Sequence, residues 1–529
     1  MTFDVAKLTY AAQYKGYIHP WVAELPAGLG GVKSFAHDNQ NYLFIPHTIS
    51  NAVVMSVAPV PPDYEWWGSS QGRKPYTHQI ATTNFILNNK ASFVLSSQGT
   101  GKTLASAWAM DLMIKETGLP VLIIAPLSTL SATWEKTFFL NFQHLKVVIL
   151  HGSKAKREKL LETPADVYVI NPDGVKTIEG ALCKTRKFCC INLDESTAAK
   201  NHKSGRWKAL NAVFDAHRSE AWLIGMTGTP IANAPTASYG QVKLLRPVWT
   251  KNQYPYYTNF KQAVVNTINQ FIDIPKASAN ETVMRFMQPS IRFSLADCRE
   301  LPDRIFETRS VQMTPEQGKM YEAMRKTLIA EHAAQQISAV NEGVKILKLA
   351  QIAAGVAYDE DGKVALLPFQ PRLDAILETI EEAERKVIVF AGLTALIDRL
   401  KVEFEKRKLT VSVVDGRTSV NARRDIFNDF ESKKDPHILL CHPNTVSHGL
   451  TLNAASTMIW ATPLYDAEIW QQALARNQRL DSTDRTVVTM IVGSPVEELM
   501  YQKLEHKEKM QGSFLSAVAE SSKRFVQST

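Results

Sequence analysis

Cysteine is scarce in this chain, and its spacing matches no known framework. The five cysteines, Cys183, Cys189, Cys190, Cys298 and Cys441, are odd in number and contain no CxxC. Neither a disulfide framework nor a zinc site is expected from them. Cys189 and Cys190 lie in an apolar run and read as core thiols of a protein kept in a reducing, intracellular setting. Long hydrophobic runs are missing too. None approaches the ~20 residues that span a bilayer, and MTFDVAKLTY at the N-terminus lacks the apolar core of a signal peptide. There is no solenoid-type repeat and no low-complexity tract. Charge of one sign is barely in excess: 60 basic against 52 acidic residues leave +8. That balance suits a polyanionic partner and equally an ordinary soluble protein.

At ~150 residues per domain, 529 residues suggest about three folding units. Residues 1–70 carry aromatics, Gly and Pro between short apolar runs such as NYLFIPHTI, and read as a small β-rich unit. From about Gln71 a rhythm begins. The apolar runs ASFVLSS, VLIIAP, KVVILHG, DVYVIN, FCCINLDE and AWLIGMTGTP alternate with helical patterns. Such alternation implies a parallel sheet covered on both faces. It pauses between about Pro235 and Phe369, where the pattern is mostly helical, and resumes with KVIVFA, TVSVVDG, PHILLCHP, STMIWATP and RTVVTMIVG. The fold class expected is α/β, with two tandem parallel-sheet lobes, a helical insertion and a small β-rich N-terminal domain. The boundaries expected are 1–70, 71–310 for lobe 1 with the start of the insertion, 311–510 for the remaining helical linker and lobe 2, and a polar tail over 511–529.

The run SSQGTGKT, Ser96 to Thr103, follows the strand ASFVLSS and precedes the helical pattern TLASAWAMDLMIK. Strand, glycine loop and helix in that order are the setting of a phosphate-binding loop. Gly99 and Gly101 let backbone N–H groups turn toward phosphate oxygens, flanked by Gln98 and Thr100. Lys102 would reach the outer phosphates and the Thr103 hydroxyl would hold Mg²⁺. Ser96 stands where the general GxxxxGK[ST] pattern has glycine. Further on, Asp194 and Glu195 end the apolar run KFCCINLDE. A carboxylate pair at a strand C-terminus suits a nucleotide site, with Asp194 ordering the metal and Glu195 positioning or deprotonating water.

These residues sit in an ordered set that resembles the Swi/Snf-like branch of superfamily 2 helicases and DNA translocases, whose lobes are RecA-like. KPYTHQ resembles the adenine-reading glutamine motif and points to Gln79. LIIAPLSTLSATWEKTF resembles motif Ia, with its Trp134. DESTAAKN resembles the motif that begins Asp-Glu, with Ser196 and Thr197 where the family has Ala and His. MTGTPIAN resembles motif III, in which Thr227, Gly228 and Thr229 would link nucleotide state to the track. LLRP, Leu244 to Pro247, resembles the segment that follows. In the second lobe VVDGRTSVNARRDIFNDF resembles the DGxTxxxxR run with Asp415, Gly416 and Arg423. HPNTVSHGLTLNAAS resembles motif V, with Gly449 near nucleotide and with Asn444, Thr445 and His448 as departures. WQQALARNQRL resembles motif VI, with Gln472, Arg476 and Arg479; Gln478 and Asp481 depart from it. The resemblance spans about Gln71 to Met510 and favours compact bacterial or phage members.

The resemblance implies a nucleic-acid-dependent ATPase using ATP and Mg²⁺, with Arg476 and Arg479 as lobe 2 arginines on the developing phosphoryl charge. It implies translocation on double-stranded DNA without strand separation. Contacts to the track would be sequence-independent and made to phosphates, with Ser128, Thr129, Asn444 and Thr445 as candidates and Lys136 behind them. Remodelling of branched, fork or recombination intermediates, or displacement of bound protein, would follow, by a monomer in the cytoplasm of a bacterial or phage-infected cell that could meet replication or recombination proteins. The alternative is an ATPase switch stimulated by RNA or a protein partner that does not translocate. Residues 1–70 fit either a reader of DNA structure or a packing module for lobe 1.

Overall fold

The computed structural model describes residues 3–66, 75–184, 187–231, 233–269, 272–298, 304–333, 339–358, 363–446, 452–464, 466–476, 486–504 and 507. The expected tail over 511–529 lies outside them.

The N-terminal unit is an antiparallel sheet of β1 (Thr9–Ala11), β2 (Gly16–Pro20), β3 (Lys33–His37) and β4 (Gln40–Pro46), in the order β1-β2-β4-β3. Part of the expected β pattern is helical instead. Ile49–Met55 forms a short helix because the Thr48 hydroxyl caps it by accepting from Asn51 N–H, and Ile49, Ala52 and Met55 turn one face inward. The unit is bonded to lobe 1. Tyr64 donates to Asp111 at 2.8 Å, and Val60 N–H donates to Asn84 at 3.0 Å.

Lobe 1 is built on β5 (Ala91–Val94), β6 (Val121–Ile124), β7 (Val147–Ile149), β8 (Val167–Ile170), β9 (Cys190–Asp194) and β10 (Trp222–Met226). An antiparallel hairpin, β11 (Val265–Asn269) and β12 (Ile272–Pro275), lies outside the sheet. A two-residue strand, β13 (Ser290–Ile291), completes the parallel sheet in the order β13-β5-β10-β9-β6-β8-β7. Lobe 2 opens with β14 (Ile305–Ser310), followed by a hairpin of β15 (Val356–Tyr358) and β16 (Val364–Leu366). Its remaining strands are β17 (Lys386–Phe390), β18 (Val411–Val414), β19 (Ile438–Cys441), β20 (Ala455–Trp460) and β21 (Val487–Val492). All are parallel, in the order β14-β21-β20-β17-β19-β18.

The central strands are apolar because both faces are covered. In β6, Leu122 and Ile124 pack into one core while Val121 and Ile123 pack into the core on the opposite face. Leu439 and Cys441 separate in the same way from Ile438 and Leu440 in β19. The α/β class with two parallel sheets is therefore as expected. The stretch between the lobes is less purely helical than its pattern suggests. It carries both hairpins and the two strands that close the edges of the two sheets. β14 pairs residue for residue with β21, so Ile305–Ser310 belongs to the second sheet, ahead of the expected boundary at 310/311. It is an edge strand with alternating exposure, which gives it no apolar run to read.

Candidate functional site

Three neighbouring strands end together. β5, β10 and β9 are adjacent and parallel, so their C-terminal loops converge where open α/β sheets bind ligands. β5 leads into Ser96–Gly101, β10 into Thr227–Thr229, and β9 ends on Asp194 with Glu195 immediately after it.

The glycine loop takes the shape a phosphate cradle needs. Gly99 and Gly101 have φ of +82° and +83°, a region glycine enters freely. Gly101 caps the helix Lys102–Thr117, and a Cβ there would collide with Gln79 Nε2. Thr103 follows in the first turn of that helix, whose N-terminal field favours anions. Thr100 donates through its hydroxyl to Ser97 O at 2.8 Å, and its carbonyl receives His78 Nε2 at 2.9 Å. Gln79 is turned inward: its Oε1 accepts from Tyr76 N–H at 3.1 Å. Lys102 Nζ donates to the carbonyls of Ser96 at 2.7 Å and Ser97 at 3.0 Å. Burial lowers its pKa to about 8, opposed by Glu195 and Asp194 and reinforced by Arg292 and Arg476.

Ser96 has a structural reason to be where the pattern has glycine. Its Oγ accepts Phe293 N–H at 3.0 Å, continuing the pairing of the loop with β13 that Leu95 N–H to Ile291 O begins at 2.8 Å. Arg292, whose pKa burial lowers to about 10, donates from the same segment to Leu95 O at 2.6 Å.

The carboxylates are held separately. Asp194 accepts Trp134 Nε1 at 2.9 Å on one oxygen and Glu195 N–H at 3.1 Å on the other. Trp134 is fully buried in a π-helical turn, Leu130–Glu135, a rare geometry concentrated at functional sites. Glu195 has φ of +54°, a left-handed backbone that a non-glycine residue holds at a cost of about 1–3 kcal/mol and mostly at functional positions. Its Oε2 accepts the Thr227 hydroxyl at 3.1 Å. Burial raises the Glu195 pKa; Glu468 pushes the same way, while Lys102, Thr227 and Arg476 oppose. Thr227 Oγ1 also receives Thr229 N–H at 3.1 Å, and Gly228 lies against Gln98.

Lobe 2 reaches this site through the helix Ala467–Leu474 and the residues beside it. Arg476 is buried, with Nη2 donating to Gln98 Oε1 at 2.9 Å and Nε to Gln472 O at 3.1 Å. Gln472 is buried on that helix. Arg479 and Gly449, like His448, Gln478 and Asp481, lie outside the described residues. The departures at Ser196 and Thr197 are engaged. Ser196 Oγ donates to Gln241 Oε1 at 2.7 Å, and Gln241 Nε2 donates to Pro230 O at 2.9 Å. Thr197 Oγ1 donates across the lobes to Glu468 Oε1 at 2.7 Å.

A cavity of about 790 Å³ lies between the lobes. Ser128, Lys136, Asn421, Arg423, Arg424 and Thr445 are among its lining residues. Asn444 is exposed beside Thr445. Two of the four hydroxyl and amide candidates are committed internally. Thr129 Oγ1 donates to Pro126 O at 2.9 Å and Thr445 Oγ1 to His442 O at 2.7 Å, both residues being buried. Ser128 and Asn444 are the more open pair, and the cations Lys136, Arg423 and Arg424 surround the space. Gln98 as a partner of Arg476, and Glu468, Gln241 and Arg292, were not legible as site residues. Glu468 is one helical turn before Gln472, the one local signal that could have marked it.

A phosphate-binding loop, a buried carboxylate beside it and an arginine arriving from a second parallel-sheet lobe define an ATP-dependent enzyme of the two-lobed helicase class. The chain belongs to the SNF2-related family: the SNF2-related domain matches residues 67–354 and the helicase conserved C-terminal domain matches residues 371–481. It is 25% identical over 473 residues to protein p41 of Acyrthosiphon pisum secondary endosymbiont phage 1, covering 84% of this chain and 98% of that one. It is 25% identical over 435 residues to an uncharacterized ATP-dependent helicase of Mycoplasma genitalium, covering 80% of this chain and 40% of that one. It therefore spans less than half of the latter's length. The Sulfolobus solfataricus SWI2/SNF2 ATPase core in complex with dsDNA is 21% identical, covering 86% of this chain and 95% of that chain, with a TM-score of 0.39. The strand order and the family match define the fold. Among the described residues no helix is long and apolar enough to cross a membrane.

Proposed function

We propose that the chain is an ATP-driven translocase on double-stranded DNA that remodels DNA structures or displaces bound protein. The observation that carries this reading is the Arg476–Gln98 bond, which brings a lobe 2 arginine to the phosphate loop across 378 residues of sequence. A site completed only when two lobes meet can convert hydrolysis into relative motion of those lobes. Lys102 draws the outer phosphates. Glu195, its pKa raised by burial, takes the proton of the attacking water, as a base poised nearer neutrality does best. Arg476, with Arg479 beyond the described residues, faces the charge that develops on the transferred phosphoryl group.

The donors available suit Mg²⁺, a hard cation held by one or two carboxylates together with phosphate oxygens. Thr103 and Asp194 would hold it, Asp194 having its carboxylate oriented by Trp134 and the Glu195 N–H. Bound there, the ion would neutralise charge on the phosphates.

For the track, the inter-lobe cavity with Lys136, Arg423 and Arg424 supplies cations suited to backbone phosphates, so binding is sequence-independent and weakens steeply with salt. Translocation, the DNA structures acted on, and a monomeric working state belong to the same proposal, as do the domain limits 1–70, 71–310 and 311–510, with Ile305–Ser310 counted with lobe 2. The test is the ATPase rate with no polymer, single-stranded DNA, double-stranded DNA and RNA. Strong stimulation by double-stranded DNA alone is expected. Stimulation by RNA alone would favour the non-translocating switch, and a rate indifferent to all four conditions would sink the translocase reading.

A further inference from the structure

The helix Ala467–Leu474 is tied to lobe 1 at both ends. At its far end Arg476 reaches Gln98. At its near end two acidic side chains make a second set of bonds that the phosphate site does not require. Asp466 caps the helix, accepting Glu468 N–H at 2.9 Å, and the same oxygen receives Asn233 Nδ2 at 3.1 Å. Asn233 Oδ1 in turn accepts Ala467 N–H at 3.2 Å. Glu468 is bound on both oxygens by lobe 1: Oε1 accepts Thr197 Oγ1 at 2.7 Å, and Oε2 pairs with Lys200 Nζ at 3.2 Å. Gln472 Nε2 closes the set on Oε1 at 3.5 Å.

Thr197 and Lys200 belong to the run that begins with Asp194 and Glu195, and Asn233 to the run that begins with Thr227. The near end of the helix is therefore bonded to the two segments that hold the hydrolytic carboxylate, while its other end carries the arginine. A helical segment transmits a shift along its length because its backbone is hydrogen-bonded throughout. The Lys200–Glu468 pair borders a second cavity, of about 620 Å³, that also reaches Glu195 and is lined by Lys176 and Arg206.

We propose that Glu468 is a positioning residue: by accepting Thr197 and Lys200 it registers lobe closure at the Asp194–Thr197 segment and sets the Arg476 guanidinium against the phosphate loop. Thr197 supplies the hydroxyl for this contact. In this chain a threonine–glutamate bond between lobes occupies the place where the family has a histidine. The proposal rests on the ATPase assignment and not on which polymer is the track.

The consequence is a change in turnover rather than in nucleotide affinity, because the glycine loop, Lys102 and Thr103 all belong to lobe 1. Thr197→Val, which keeps the shape and deletes the hydroxyl, lowers kcat by about 10- to 100-fold, the range a misplaced group produces, with KM for ATP within about twofold. Thr197→Ser restores turnover. Glu468→Ala reproduces the loss, and combining it with Arg476→Ala adds little to Arg476→Ala alone, since both act through one group. The measurement is basal ATPase kinetics on the full chain, with thermal melting of each variant as the control for folding. Unchanged kcat in Thr197→Val overturns the proposal. So does a loss in Glu468→Ala that adds in full to that of Arg476→Ala, or a rise in KM with kcat preserved. If Glu468→Ala melts early, Thr197→Val and Thr197→Ser carry the test. Absence of DNA stimulation in the wild type would count against the DNA reading and leave these basal kinetics interpretable.

Discussion

Lys102 sits between opposing influences. Burial lowers its pKa to about 8, Arg292 and Arg476 press it further down, and Glu195 and Asp194 hold it up. In the nucleotide-free protein the side chain is therefore a cation at neutral pH and loses its charge as pH rises through about 8. A neutral amine attracts no phosphate, so ATP affinity should weaken over that interval. A fluorescent-nucleotide titration across it checks the sign, and Lys102→Arg, whose charge persists, should flatten the profile. Affinity independent of pH in the wild type would contradict the assignment. Glu195 gives the complementary prediction. Glu195→Gln should retain nucleotide binding and lose about 10²–10⁴-fold in hydrolysis, the usual contribution of a general base; normal turnover would remove Glu195 from that role. Much at this scale was legible, because Ser96–Thr103 and Asp194–Glu195 announce themselves by glycine spacing and by position after apolar strands. What was not legible were the partners. Thr197 meets Glu468 across 271 residues, and no local pattern encodes a contact of that separation.

Among elements, the strands that form continuous apolar runs were readable, and the very short or alternating edge strands were not. β6 and β8 are buried at every position and appear in the sequence as continuous apolar runs. β13 is two residues long, and β14 is an exposed edge. Neither carries a hydrophobic signature, though β13 brings in the segment that bonds Ser96. Lobe 2 also holds an ion pair that no pattern suggested. Arg372, on the helix Gln370–Glu382, pairs with Glu497 at 2.7 Å with both side chains buried. Arg372 Nη2 also donates to Ala353 O at 3.2 Å, and Glu497 accepts Gly493 N–H at 2.7 Å. The pair thus ties three segments of the lobe. Removing one partner leaves an uncompensated buried charge, so Glu497→Ala should destabilise lobe 2 by about 3–5 kcal/mol. Replacing both, as Arg372→Met with Glu497→Leu, should cost much less. Chemical denaturation of the two variants measures the difference; equal losses would show that the pair's charge is not what matters.

At the scale of the whole molecule, the two sheets are separately cored units whose contact, among the described residues, includes specific polar bonds: Arg476 to Gln98, Thr197 and Lys200 to Glu468, and Asn233 to Asp466. Hydrogen bonds between polar groups can be made and broken at small net cost, since water replaces them. A seam of this composition suits lobes that close on nucleotide and reopen after hydrolysis better than a shared apolar core would. The order of motifs along the chain made the two-lobed plan readable; the seam was not, because its residues are ordinary surface types until the lobes meet. The N-terminal unit is bonded to lobe 1 through Tyr64 and Val60, which favours its reading as a packing module. The central claim is motion along duplex DNA powered at this seam. The direct test is displacement of a third strand from a triplex on double-stranded DNA, run beside a strand-unwinding assay. ATP-dependent displacement without unwinding, abolished by Glu195→Gln, is the predicted result; ATP turnover stimulated by duplex DNA with no displacement of the third strand would contradict it.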